Sequence, residues 1–215
     1  MKRNRPLNQE KRDAIIKASI NEFYQKGYEA SSMDTIAKEA NVSKATVYNH
    51  FNTKEELFFN IAQIFMDKFE KSFQYTYSKD KDIKEQLKDI AKKEIEFLSI
   101  QENITLIQIV TVMLIQRNEI GIKLIEQKNG KEINIEMTKK WLEDAKADKK
   151  LNFDDPYFVA KQFIGMIKSF AFYPQLYGAP LINKKEADTL IEKSVEMILS
   201  QYKVKCPILN YLVHS

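Results

Sequence analysis

Residues Asn41 to Leu57 read NVSKATVYNHFNTKEEL, and they describe a short helix with two unlike sides, followed by the start of another helix. Ser43 is positioned to cap the short helix, in which Val47 and Phe51 lie four residues apart on one buried side. The stretch therefore predicts a small helix that is held to the protein by one side and open on the other. The open side carries Lys44, Thr46, Tyr48, Asn49 and His50.

A second short helix precedes this one. Ser32 is positioned to cap it, with Ile36, Ala37 and Ala40 facing inward. Asn41 follows where the turn calls for a left-handed residue. Two helices of about eight residues joined by a three-residue turn form a helix-turn-helix, the motif whose second helix enters the major groove of DNA.

Helical spacing of apolar residues continues through the rest of the chain, and glycine and proline are sparse, with five of each. Because no sustained strand-like alternation interrupts it, the pattern predicts an all-α fold of about nine helices. The first helix is expected from about Asn8 to Lys26 and ends at Gly27, while a T-x-x-E capping box at Thr53 and Glu56 starts the fourth. Later helices are expected at about 83–101, 104–116, 120–146, 156–176 and 184–204.

The net charge of +4 lies entirely in the first quarter of the chain. Residues 1–54 contain ten Lys or Arg and six Asp or Glu, whereas residues 55–215 contain 24 of each. A basic segment attached to a neutral body suggests a polyanion-binding head on a scaffold with another purpose. The charged stretch SKDKD, Ser78 to Asp82, is the expected joint between them.

Composition argues against several other classes of protein. The longest apolar run, Ile104 to Ile115, is shorter than the roughly 20 residues that a membrane helix needs, so we expect no membrane partner. The N-terminal MKRNRPLNQEKRD lacks an apolar segment and a cleavage site, which predicts a cytoplasmic protein. One cysteine, Cys206, and two histidines, His50 and His214, provide no cluster for a metal, and we expect no cofactor.

The open side of the short helix suits contact with DNA. Tyr48 and Thr46 can meet phosphate oxygens or a thymine methyl group, and Asn49 can pair with adenine. Lys44 and His50 suit phosphates or guanine. Residue type therefore favours a DNA-reading helix.

Lys54, the first residue of the next helix, would add a cation where backbone amides already favour an anion, as a DNA phosphate requires. The alternative is a helical corner whose polar side only meets water, which is the usual state of a charged helix face. The pattern of polar and apolar residues alone leaves both interpretations open.

The segment AIIKASINEFYQKGYEASSMDTIAKEANVSKATVYNHFNTKEELF contains a Gly-Tyr turn, Ile-Ala-x-x-Ala, Val-Ser-x-x-Thr-x-Tyr-x-x-Phe and Lys-Glu-x-Leu at fixed spacing. From Arg12 to Ile64, about a quarter of the chain, this pattern resembles the N-terminal domain of TetR-type transcriptional regulators. Asn41 and Ala45 stand where glycine is common in that family.

The resemblance implies a homodimeric repressor whose two heads read half-sites of a near-palindromic double-stranded DNA operator, about 34 to 36 Å apart. Ser32 is expected to add a phosphate contact, and Asn49 a contact to a base. The positions that match DNA-contacting positions of the family are Ser43, Lys44, Thr46, Tyr48, His50 and Lys54.

The resemblance also divides the chain into a helix-turn-helix domain at 1–54 with a connecting helix at 54–77, a helical effector-binding and dimerisation domain at 78–204, and a tail at 205–215. Residues 154–180 resemble a C-terminal domain of TetR and AcrR-like regulators, in which the last two long helices pair with those of a second subunit. Ordinary intramolecular core is the alternative for the apolar stripes on these helices. The expected interface residues are Ile167, Phe170, Ile191, Val195, Ile198 and Tyr202.

On the same resemblance, helices between residues 83 and 146 would surround a cavity for a small-molecule effector, whose binding releases the DNA. Gln108 could orient such a ligand, because it lies in a nearly continuous apolar run and needs a partner if it is buried. Core packing is the alternative for the aromatic members of the set. The expected wall consists of Phe97, Ile100, Gln108, Val112, Trp141 and Phe163.

Two other functions compete with the regulator. An enzyme has little support, because G-x-S-x-G, P-loop and H-E-x-x-H motifs are missing and the acidic residues fall on predicted solvent faces. A helical adaptor or ligand-binding protein without DNA function is suggested by the apolar tail KVKCPILNYLVHS, Lys203 to Ser215. Binding to DNA distinguishes the regulator from both.

Overall fold

The computed structural model describes residues 8–127 and 132–204, so the tail predicted at 205–215 lies outside the described residues. In the described part the predicted all-α fold is confirmed: eleven helices form, and the one strand-like pairing is an isolated bridge between Leu151 and Lys203. The helices are α1 (Gln9–Ala30), α2 (Met33–Glu39), α3 (Lys44–His50), α4 (Lys54–Ser72), α5 (Ile83–Leu98), α6 (Gln101–Ile115), α7 (Glu119–Gln127), α8 (Ile133–Ala147), α9 (Pro156–Ala171), α10 (Tyr173–Leu176) and α11 (Lys184–Tyr202).

Two of the predicted helices are each two helices in the structure. The segment expected at 120–146 contains α7, which ends at Gln127, and α8, which begins at Ile133. The segment expected at 156–176 breaks at Phe172, where the backbone leaves helical geometry before α10. Pro174 explains the second break, because a proline lacks the N–H that would continue the helical bonding.

The first compact unit consists of residues 8–69 and 101–127. Its apolar core is built mainly by α1 to α4 around buried Phe23 and Phe51, and α6 packs against α1. Ile109 and Met113 of α6 are buried in this same core. The helix-turn-helix therefore shares a compact unit with α6 and α7, which lie beyond the predicted domain boundary at residue 78.

The second compact unit consists of residues 70–100 and 132–204. In it α9 packs against α5, α8 and α11, and α5 also packs against α11. Trp141 and Phe163 are among its largest buried side chains. Side-chain caps fix the helix starts, with Asp155 accepting hydrogen bonds from two backbone amides at the start of α9 and Asn183 forming a capping box with Glu186 on α11.

No single helix of the described chain is long and apolar enough to cross a membrane. The bent pair α5 and α6 reaches the necessary length and composition only when its two helices are counted together.

Candidate functional site

Helices α2 and α3 begin with the same kind of cap, a serine hydroxyl paired with a threonine three residues later. The Ser32 hydroxyl accepts a hydrogen bond from the backbone N–H of Thr35 at 3.1 Å, and the Ser43 hydroxyl accepts one from the N–H of Thr46 at 3.1 Å. The two side-chain hydroxyls of each pair also bond to one another, at 2.9 and 2.8 Å respectively. The predicted N-caps are confirmed, and they fix where each helix of the motif begins.

The inner side of α3 is packed as predicted. Val47 and Phe51 have no exposed surface. The Arg12 guanidinium lies 4.6 Å from the centre of the Phe51 ring, and its Nη2 donates a hydrogen bond to Asn60 Oδ1 at 2.7 Å. Asn41 adopts the expected left-handed conformation, with φ of 52°. Helix α3 is therefore fixed by its apolar side to the head, the part of the first unit that α1 to α4 form.

The outer side of α3 exposes Lys44, Tyr48 and Asn49, while Thr46 is half-buried. The Lys44 ammonium pairs with the Asp34 carboxylate of α2 at 2.7 Å and lies 5.9 Å from the centre of the Tyr48 ring. The hydrogen bond that Lys44 donates to Asp34 raises the pKa of Lys44, so the side chain keeps its positive charge. The Lys44 ammonium, the Tyr48 phenol and the Asn49 amide thus share one accessible face of α3.

His50 differs from its prediction. The prediction that it lies on the surface is wrong, because only 9% of its surface is exposed. His50 and Val47 are three residues apart and therefore share the inner side of α3. Burial, with Arg12 and Lys11 nearby, lowers the pKa of His50, and its Nδ1 has no hydrogen-bond partner among the described residues.

The Lys54 side chain is bound within the head. Its ammonium donates to the carbonyls of Tyr28 at 2.6 Å, Glu29 at 3.1 Å and Ser31 at 3.1 Å, and it lies 4.5 Å from the centre of the Tyr28 ring. A cation is favourable there because the last carbonyls of a helix lack intrahelical partners. The Lys54 ammonium, which was predicted to hold a DNA phosphate, therefore binds the carbonyls at the end of α1 instead.

The start of α4 forms half of the predicted capping box. The Thr53 hydroxyl accepts a hydrogen bond from the backbone N–H of Glu56 at 3.0 Å, as predicted. The Glu56 carboxylate, however, accepts from the backbone and side chain of Asn52, both at 2.9 Å, one residue earlier than the reciprocal bond of a capping box requires.

Replacing Lys54 with methionine is expected to lower the free energy of unfolding by about 1.5 to 3 kcal/mol, because three carbonyls lose their hydrogen bonds to a charged group. Urea denaturation followed by circular dichroism measures this change. Lys17→Met removes an exposed lysine of α1 and should change the free energy by less than about 0.5 kcal/mol. Equal stability of the two variants would contradict a structural role for Lys54.

The predicted effector wall is divided between the two units. Three members of the set are buried in the second unit: Phe97, Trp141 and Phe163. The centres of the Phe97 and Phe73 rings are 5.3 Å apart, and those of the Trp141 and Tyr77 rings are 5.6 Å apart. Ile100 is exposed in that unit. Of the two members on α6, in the first unit, Gln108 is half-buried and Val112 is exposed. Neither unit contains all six side chains.

The predicted dimer residues differ in how far they are exposed. Ile167, Val195 and Ile198 are buried within their own unit, so the prediction that they offer a surface to a partner is wrong. Ile191 and Tyr202 are half-buried, and the Tyr202 hydroxyl donates to Gln162 at 2.7 Å. Phe170 is 64% exposed. The apolar residues that α9 and α11 do expose include Phe158, Phe170 and Met197.

A buried acid in the second unit was not predicted from the sequence. Glu94 of α5 was expected on a solvent face with the other carboxylates, yet only 1% of its surface is exposed. Its Oε1 accepts a hydrogen bond from Asn134 Nδ2 of α8 at 2.8 Å, whereas its Oε2 has no hydrogen-bond partner in the described chain. Burial raises the pKa of Glu94 to about 7. Its position between Ala91, Ile95 and Leu98 on α5 was the available signal.

Comparison with known proteins identifies both parts of the chain. The profile of the bacterial regulatory proteins of the tetR family matches residues 15–61. The profile of the C-terminal domain of AefR-like transcriptional repressors matches residues 85–204, which is more than half of the chain.

Individual relatives agree with these matches. The crystal structure of a TetR family transcriptional regulator from Pseudomonas syringae pv. tomato str. DC3000 is 31% identical, with a TM-score of 0.74 over 93% of this chain and 100% of that one. The flavonoid-responsive regulator FrrA is 25% identical, with a TM-score of 0.67 over 93% and 100% of the two chains.

Similarity to curated proteins is concentrated in the head. The uncharacterized HTH-type transcriptional regulator YhgD of Bacillus subtilis (strain 168) is 47% identical over 49 residues, which are 23% of this chain and 26% of that protein. The chain thus spans about a quarter of the length of the curated relatives that it matches. Together with the two profiles and the eleven-helix fold, these similarities show that the chain belongs to the TetR family of bacterial transcriptional regulators, which are DNA-binding transcription factors and not enzymes.

Proposed function

We propose that the protein is a homodimeric repressor that binds a near-palindromic operator through α3 and releases it when a small, largely apolar molecule binds the C-terminal domain. The observation that carries this proposal is the two-sided geometry of α3. Its apolar side is fixed by Val47 and Phe51, and its outer side presents Lys44, Tyr48 and Asn49 to solvent. A rigid helix with a polar, accessible face is what major-groove reading requires.

Within this proposal the exposed side chains have different tasks. Asn49 reads a base edge, and Tyr48 contacts a phosphate or a thymine methyl group. Lys44 neutralises a phosphate or pairs with guanine, which requires it to leave Asp34. The exposed hydroxyls of Ser32 and Ser43, together with half-buried Thr46, add phosphate contacts. His50 supports the helix from its inner side, and Lys54 holds the start of α4 so that backbone amides there face the DNA.

Exposed apolar side chains on α9 and α11 support the proposed homodimer. Phe158, Phe170 and Met197 are each more than half exposed. Several large apolar side chains exposed on two neighbouring helices favour a surface that a partner covers. Pairing of these two helices with those of a second copy would set the two heads one turn of DNA apart, about 34 to 36 Å.

Release by a ligand requires a change that reaches the head. The core positions of Ile109 and Met113 support α6 as the moving part, because a shift of α6 would disturb the packing of α1 to α4. The flavonoid-responsive relative supports a small molecule as the signal. By thermodynamic linkage, the operator must weaken ligand binding by the same factor as the ligand weakens operator binding, typically about 1 to 3 kcal/mol.

Selection of randomised DNA by the wild-type protein, followed by gel shift on the enriched operator, tests DNA reading. Lys44→Ala and Tyr48→Ala are each expected to weaken binding about tenfold or more, since a good contact contributes about 1 to 3 kcal/mol. The matched controls are Lys17→Ala and Tyr24→Ala, which remove exposed side chains of α1 and should bind as wild type does. Failure to enrich any sequence, or equal binding by all four variants, would contradict the proposal.

A further inference from the structure

Glu94 belongs to a buried polar cluster between α5, α8 and the segment before α5. Asn134 donates to Glu94 through its side chain and accepts at its backbone carbonyl from the Thr138 hydroxyl at 2.7 Å. The Tyr75 hydroxyl lies 2.5 Å from Thr138 Oγ1 and 3.2 Å from the same carbonyl, so its one proton is donated to either of these two acceptors. The amide and both hydroxyls are therefore satisfied within the cluster, and the open hydrogen-bonding position lies on Glu94 Oε2.

The charges around Glu94 compensate its carboxylate only in part. Among the described residues, the charged groups that act on it through space are Lys168 of α9 and Glu132, which precedes α8. These two form their own ion pair at 2.9 Å, so the positive charge of Lys168 is shared with Glu132 and partly offset. Ionised Glu94 together with this pair carries a net charge of −1. A buried carboxylate in such surroundings is stabilised most by a cation that also donates a hydrogen bond.

Aromatic side chains adjoin the polar cluster. Trp141 lies one turn beyond Thr138 on α8, and its ring meets that of Tyr77 edge to face. Phe97 lies one turn beyond Glu94 on α5, and its ring packs near that of Phe73. A ligand with an aromatic or aliphatic body would find the Phe97 ring one helical turn from Glu94 and the Trp141 ring one turn from Thr138 of the cluster.

We infer that Glu94 is the anchor for a positively charged amine on the small molecule to which this regulator responds. The inference rests on the proposed function, and it adds the chemical class of the ligand: a primary or secondary amine on an aromatic or aliphatic body. The ammonium donates to Glu94 Oε2, and the aromatic side chains on α5 and α8 receive the body. Because Glu94 is almost fully buried, the ligand reaches it only in a conformation in which α5 and α8 have separated, and binding stabilises that conformation.

Calorimetric titration of the full-length protein without DNA tests the inference. The probes are arylalkylamines from benzylamine to 4-phenylbutylamine, each paired with the alcohol of the same length. Trp141 is the one tryptophan of the chain, so a change in tryptophan fluorescence locates binding near α8. We expect at least one amine to bind wild type ten times more tightly than its alcohol and to change this fluorescence.

Two variants test the anchor itself. Glu94→Gln keeps the size of the side chain and should remove the preference for amine over alcohol. Glu96→Gln changes an exposed carboxylate on the same helix and should keep that preference. The amine-to-alcohol ratio of wild type needs no variant, so a folding defect in Glu94→Gln would leave the test intact.

Three results would overturn the inference: no saturable binding of any amine at millimolar concentrations, equal binding of amine and alcohol, or an unchanged preference in Glu94→Gln. Each of these would leave the DNA-reading proposal standing, because that proposal is tested by gel shift in the absence of ligand. Loss of operator recognition would conversely leave the amine measurement interpretable.

Discussion

Replacing Phe51 with alanine is expected to lower the free energy of unfolding by about 3 to 5 kcal/mol, the usual cost of truncating a fully buried aromatic residue. Phe51 has no exposed surface, and the Arg12 guanidinium stacks on its ring. Truncation leaves a cavity where α3 meets the core and removes the surface that positions Arg12. Urea denaturation measures the change, and Phe51→Leu, which keeps more of the volume, should be less destabilising.

Tyr48 supplies the matched comparison, because it lies on α3, three residues before Phe51, and is 41% exposed. Tyr48→Ala should change the free energy of unfolding by less than about 0.5 kcal/mol while weakening operator binding. A Phe51→Ala variant as stable as Tyr48→Ala would contradict the packing of α3 on the head. The pair thus separates the side of α3 that holds the helix from the side that reads DNA.

Glu94→Gln is expected to remove a pH dependence of stability of about 3 kcal/mol, which follows from a pKa raised from 4.5 to about 7. Below pH 4.5 the carboxyl group is protonated in both folded and unfolded chains, and its burial carries no charge penalty. As the pH rises to about 7, the unfolded chain loses the proton first, so the free energy of unfolding of wild type falls. Above that range the full penalty is present.

The measurement is the difference in free energy of unfolding between wild type and Glu94→Gln across this pH range. Other titrating groups, such as Glu192, whose pKa is lowered by hydrogen bonds from Lys88 and Lys84, cancel in that difference. The exposed control Glu96→Gln should follow wild type at every pH. A constant difference between wild type and Glu94→Gln would mean that Glu94 titrates normally.

Features set by neighbouring residues could be predicted from the sequence. The caps at Ser32 and Ser43, the left-handed Asn41 and the buried pair Val47 and Phe51 all depend on contacts within a few positions, and the structure confirms them. The prediction for His50 was wrong because it assigned every polar residue of α3 to one side of the helix. A polar residue type favours the solvent side, whereas the spacing of three residues from Val47 places His50 on the inner side.

Features that depend on distant residues could not be predicted. Lys54 finds its three carbonyl partners more than 20 residues earlier in the chain. The apolar neighbours of Glu94 on α5 indicate its buried side, but its partner Asn134 on α8, 40 residues away, could not be predicted. The stripes on α9 and α11 showed that Ile167 and Val195 face an apolar neighbour, but periodicity does not distinguish the chain's own core from a second subunit.

The position of α6 limits where this protein can be divided. Ile109 and Met113 complete the core that also contains Phe23 and Phe51, although Phe23 and Met113 are 90 residues apart in the sequence. A hybrid regulator that took only residues 1–77 would carry the recognition helix but open that core to water. A functional hybrid must also include residues 101–127. The DNA-reading part of this chain therefore cannot be transferred as one continuous segment.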